Sequence, residues 1–130
     1  MDQYEVGGDG LVTDVRQKTA EYEYEGKIYN LTCNMNVLAD VQEAYDGKLM
    51  RALKRVTSLK VTLIFLAAML NDAAETQDLR DEDGKLQHVT NHELGCKLTL
   101  EQTTEAAQMI AGLIVAAMPE AEKDKEASKN

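Results

Sequence analysis

The chain has 130 residues, a net charge of -9 and a pI near 4.7, a length that holds one hydrophobic core and not two. With no Trp, one Phe and one Pro, that core has to be built from Leu, Ile, Val, Met and Ala, which favours helices packed closely on small residues. The acidic balance argues against general nucleic-acid binding, because the phosphate backbone rewards clustered Lys and Arg, and two cysteines make no disulfide framework.

Residues 1–19 combine Gly7, Gly8 and Gly10 with scattered Asp and Glu, a composition expected to stay flexible, although Leu11, Val12 and Val15 could add a short strand. The opening Met1-Asp-Gln-Tyr-Glu-Val-Gly-Gly is acidic and polar. No export signal is therefore expected, and Cys33 and Cys96 should stay thiols in a reducing cytosol. From Ala20 the pattern changes: Tyr22 and Tyr24 alternate with Glu21, Glu23 and Glu25, and Gly26 supplies a turn. Residues 20–33 are predicted to form a β-hairpin with the tyrosines packing one face of the sheet.

Helices follow. Asn34 or Asn36 can cap a helix over about 36–45, where Val37, Leu38, Val41 and Tyr45 recur at helical spacing and Asp46-Gly47 ends it. A short helix over about 48–55 places Lys48, Arg51, Lys54 and Arg55 three or four apart, hence on one face, with Leu49, Met50 and Leu53 turned inward. Between Val61 and Leu70 only Thr62 is polar. This run, too short for the roughly 20 apolar residues that cross a bilayer, is predicted to be a buried helix over 58–75 with Thr57 or Ser58 as its cap.

Residues 77–97 are charged and punctuated by Asp83-Gly84 and Gly95, which reads as a long loop with room for a small hairpin or one helical turn. Thr99 and Gln102 then have the spacing of a capping box. The helix they open, over about 99–118, carries Ala106, Ala107, Ile110, Leu113, Ile114 and Ala117 on one stripe and stops at Pro119. Residues 120–130 alternate Glu, Asp and Lys, the composition of a disordered, solvated tail. The expectation is an α+β, mainly α fold: a hairpin and three to four packed helices forming one domain over 20–119.

Chemistry-bearing constellations are sparse. His88, His92 and Cys96 are spaced four apart and on a helix would align three zinc ligands, with Cys33 as a fourth, but Gly95 beside Cys96 argues against a continuous helix there. Loop histidines, a buried thiol and no metal are the expectation. The glycines at 7, 8 and 10 follow no predicted strand, and neither Ser58 nor Ser128 sits in a nucleophile-elbow setting. No catalytic residue and no cofactor are expected, and the chain is read as a non-enzyme. Two features suit a protein partner instead. One is the basic patch Lys48, Arg51, Lys54 and Arg55; the other is the last helix, where Met109 and Leu113 lie among small residues that admit a close neighbour or a second copy of the chain.

With these elements placed, residues 20–118 resemble the tail assembly chaperones of long-tailed bacteriophages and of related prophage and gene-transfer-agent elements. The resemblance rests on Gly26-Lys-Ile-Tyr-Asn-Leu-Thr-Cys-Asn-Met-Asn, on Val37-Leu-Ala-Asp-Val-Gln-Glu-Ala-Tyr, on Leu63-Ile-Phe-Leu-Ala-Ala-Met-Leu and on Leu98-Thr-Leu-Glu-Gln. The excursion over 77–97 is longer than that pattern contains. The resemblance implies a non-enzymatic protein of the bacterial cytoplasm that binds the tape-measure protein, aids assembly of the tail tube protein and is absent from the mature virion. It also implies extension by a ribosomal frameshift, for which an adenine-rich stretch encoding Lys129-Asn130 is a candidate. The alternatives are a head-tail connector or tail completion protein, or a small nucleic-acid-binding regulator using the basic patch.

Overall fold

A computed structural model describes residues 18–118. The expectations for a flexible N-terminus, a strand at Leu11 to Val15 and a charged tail lie outside the described residues.

Strands β1 (Ala20–Tyr24) and β2 (Lys27–Leu31) pair antiparallel, with Tyr22 opposite Tyr29 and Tyr24 opposite Lys27. Their two-residue loop holds both Glu25 (φ 53°) and Gly26 (φ 80°) at positive φ, as a type I′ turn requires to match the twist of its strands. Side chains alternate across a sheet, so Tyr22, Tyr24, Tyr29 and Leu31 share a face. The last three are buried and Tyr22 is half-buried, which docks the hairpin on the core as the tyrosine alternation predicts.

Five helices follow: α1 (Met35–Ala44), α2 (Leu49–Lys54), α3 (Leu59–Gln77), α4 (Asn91–Lys97) and α5 (Leu100–Ala117). The central member is α3, which contacts α1, α4, α5 and β2. Val61, Ile64, Phe65, Leu66, Met69 and Leu70 are all buried on it, so the apolar run is a helix covered on every side, stabilised by roughly 1.5–3 kcal/mol for each large side chain. Its buried Thr62 is satisfied locally, the hydroxyl donating to the Val56 carbonyl at 2.8 Å.

Start signals predicted from sequence are occupied. Asn34 accepts from the Val37 N–H, Ser58 from the Val61 N–H, and Thr99 and Gln102 form the reciprocal capping box. Asn34 also donates to Asp72 at 2.8 Å, tying the start of α1 to α3. Two further amides of α3 act as strand substitutes. The Asn71 side chain donates to the Val89 carbonyl (2.9 Å) and accepts from its N–H (2.8 Å). Gln77 does the same to the outer edge of β2, donating to the Ile28 carbonyl (3.2 Å) and accepting from the Asn30 N–H (2.8 Å).

Two expectations are corrected. Residues 77–97 do hold the small antiparallel pairing for which room was expected, a bridge between Arg80 and Leu86, but in place of a single helical turn the chain then forms the seven-residue α4. Gly95 lies inside that helix. Thr90 caps it, Glu93 and Lys97 sit at the ends that suit their charge, and Leu94 is fully buried. A cap and a buried leucine together outweigh the roughly 0.5–1 kcal/mol that a mid-helix glycine costs. The second correction is Met50, which is 66% exposed, whereas Ala52 is fully buried. In a six-residue helix the inward direction is set by Ala52 with Leu49 and Leu53, and Met50 points away from it.

Candidate functional site

The site begins with how the chain leaves α1. Asp46 (φ 57°) and Gly47 (φ 78°) are consecutive left-handed residues, and the Gly47 N–H closes back on the Gln42 carbonyl at 2.7 Å, so α1 stops and the chain reverses. After α2 a second tight turn is pinned by the Ser58 N–H on the Arg55 carbonyl (2.9 Å) and by the Thr62 hydroxyl on Val56. The turn leads into α3, whose Lys60 joins residues of α2 around one cavity. That cavity, of about 270 Å³, is lined by Lys48, Arg51, Arg55 and Lys60, together with Tyr45, Ala44 and the single carboxylate Asp46.

All four cations are exposed. The ion pairs among the described residues join Arg80 to Asp78 and Lys97 to Glu25 and Glu93, and none involves the cavity. Among the described residues this positively charged concavity, with Asp46 as its one acidic lining residue, makes no ion pair, on a chain of net charge -9. Each exposed ion pair made there by an incoming group contributes only about 0.2–1 kcal/mol, so charge selects and steers a partner more than it holds it. Apolar area is at hand: Met50 and Leu59, the latter 55% exposed, neighbour Arg51 and Lys60 in sequence.

Sequence reasoning placed part of this site. Lys48, Arg51 and Arg55 come together, while Lys54 is exposed but does not line the cavity, and Lys60 takes its place. The missed residue lies beyond a helix break, across the turn that leads into α3.

The other predicted contact face is a correction. Leu113 is 2% exposed and belongs to the core, as do Ala106 and Ile110. The stripe of α5 is used in packing on α3. Met109 is half-buried and lines a separate cavity of about 280 Å³ with Tyr22, Glu23, Gln102 and Glu105.

The predicted ligand set does not converge. His92 and Cys96 are one turn apart on α4, Nε2 and Sγ separated by 3.8 Å, but His88 precedes the helix and lines a different concavity with Asp72 and Glu75. Cys33 is buried after β2, and that burial pushes its thiol up to about 11. Among the described residues no group of three or more His, Cys, Asp or Glu could hold a metal ion.

Two remaining features have structural readings. At the hairpin tip the Tyr24 hydroxyl donates to Glu93 (3.4 Å) and Lys97 reaches Glu25 (3.1 Å), which braces α4 against the turn. The hydrogen bond to Glu25 holds the Lys97 ammonium above its ordinary pKa. A concavity of about 400 Å³ between α1 and the chain entering α4 is floored by Ile64, Ala67 and Ala68 and rimmed by Asp40, Glu43 and His88. Its only sequence signal is the small Ala67-Ala68 pair on α3.

The described residues thus form a small α+β, mainly α domain with a cationic cavity beside a short helix. No protein-family model, curated protein or solved structure matches the chain. Among the described residues no helix is long and apolar enough to cross a membrane.

Proposed function

We propose that this chain is a non-enzymatic assembly chaperone of bacteriophage-type tails, which binds the tape-measure protein in the host cytoplasm while the tail tube protein polymerises and leaves before the virion is complete. The observation that carries the reading is the cavity of Lys48, Arg51, Arg55 and Lys60, whose cations make no ion pair among the described residues, with exposed Met50 and Leu59 adjacent in sequence to Arg51 and Lys60. Such a surface suits reversible capture of another polypeptide: weak exposed ion pairs confer fast, salt-sensitive association, and methionine adapts to varied apolar contacts. The acidity of the rest of the chain would keep a bound, aggregation-prone helical protein in solution. The sequence patterns that resemble tail assembly chaperones lend the identity of that polypeptide.

The test is co-expression with the long helical protein encoded in the same gene cluster, followed by purification of the complex and of finished particles. The reading expects the two chains to co-purify before assembly, and mass spectrometry to find this chain missing from the particles. Stable incorporation into particles would instead make it a structural component.

A further inference from the structure

We infer that the cavity beside α2 receives an acidic helix of a partner protein, with carboxylates at i, i+3 and i+7 facing Lys48, Arg51 and Arg55. This rests on reading that cavity as the partner dock and adds what the partner must present. Lys48, Arg51 and Arg55 are separated by three and then four residues across α2 and its two caps. A helix rises about 1.5 Å per residue, so the cations stand about 4.5 and 6 Å apart along the axis, the pitch at which a second helix lying alongside offers side chains three and four apart. Lys60 approaches from α3 on the other side of the cavity, so the incoming carboxylates meet positive charge from two elements.

One argument favours a protein over a nucleic acid. A duplex carries phosphates on every side and along its whole length, so most of them would lie outside the cavity on a chain of net charge -9, whereas a helix can confine its carboxylates to the one face that meets the cations. Phosphate at this site is therefore the competing outcome of the test and not a second proposal.

The experiment titrates the full chain with a synthetic peptide of about 20 residues, long enough to populate helix, carrying Glu at i, i+3 and i+7. Its control replaces every Glu by Gln. The Glu peptide should bind at least about ten-fold more tightly, with affinity falling as salt rises. Arg51→Glu with Arg55→Glu should weaken it by about ten-fold or more, Lys60→Ala by less, and Lys54→Glu by under about two-fold. Unchanged thermal melting of the variants assigns the loss to the surface.

Equal binding of the Gln peptide, or a Lys54→Glu effect as large as the double reversal, overturns the inference. So does tighter binding of a short DNA duplex than of the Glu peptide. Peptide binding without capture of a tail protein would remove the chaperone reading and leave this one standing; capture of the tape-measure protein with no response to the peptide would do the reverse.

Discussion

Helices α2 and α5 both carry residues that the sequence offered as partner contacts, and the folded chain treats them oppositely. α5 turns Thr103, Ala106, Ala107, Ile110 and Leu113 inward, so its apolar stripe is consumed by the core. α2 anchors itself through Ala52, flanked by Leu49 and Leu53, and leaves its cations facing solvent without a partner carboxylate among the described residues. Apolar periodicity reports what a fold uses for itself. Exposed charge that makes no ion pair among the described residues reports what they leave for something else.

The sharpest way to break that contrast is in α5. Leu113→Ala should lower unfolding free energy by about 2–5 kcal/mol in urea denaturation, the cost of a cavity in a packed core; a loss under about 0.5 kcal/mol would return Leu113 to the surface. Next is the hook that holds the chain entering α4. Asn71→Ala strands the N–H and C=O of Val89 and should cost about 1–3 kcal/mol, with faster amide exchange over 87–91. Thr99→Ala removes one half of the capping box and should cost about 1 kcal/mol while fraying only the first turn of α5.

A pH dependence follows from Cys33. Its thiol is raised by burial from 9.0 to about 11, so between those values the folded chain keeps a proton that the unfolded chain gives up. Stability should therefore fall as pH rises through that window, and Cys33→Ala should flatten the slope whatever it does to the absolute value. Tyr29, raised by burial in the same direction, leaves a residual slope. Iodoacetamide at neutral pH should label exposed Cys96 and spare Cys33 in the native protein. The smallest stability effect belongs to α2: Arg51→Glu with Arg55→Glu should shift unfolding free energy by no more than about 0.5 kcal/mol, because nothing in the core depends on those side chains.

Most of the framework was legible from local signals. Tyr22 and Tyr24 alternating before Gly26, the caps at Asn34, Ser58 and Thr99, and the unbroken run from Leu63 to Leu70 each act within a few residues, so reading them needs no knowledge of the rest of the fold. What escaped depends on contacts far apart in sequence. α4 is held by Leu94 in a core supplied mostly by other elements, and its one local start signal is Thr90 three residues before Glu93, set in a charged stretch with Gly95 that shows no apolar periodicity. Met50 was misassigned because a six-residue helix has too few positions to fix its inward direction. The site was half legible for the same reason: Lys48, Arg51 and Arg55 belong to one short helix and its caps, but Lys60 joins them around the cavity only across the turn at 55–58.

The most direct test of the account is quantitative capture of the tape-measure protein from the same gene cluster by the wild-type chain and by Arg51→Glu with Arg55→Glu, at matched concentration and low salt, with melting curves recorded on both. The account predicts capture by the wild type and its loss in the variant at an unchanged melting temperature. Equal capture by the two would remove the cationic cavity from the binding surface, and no capture by the wild type would remove the tape-measure protein as the partner.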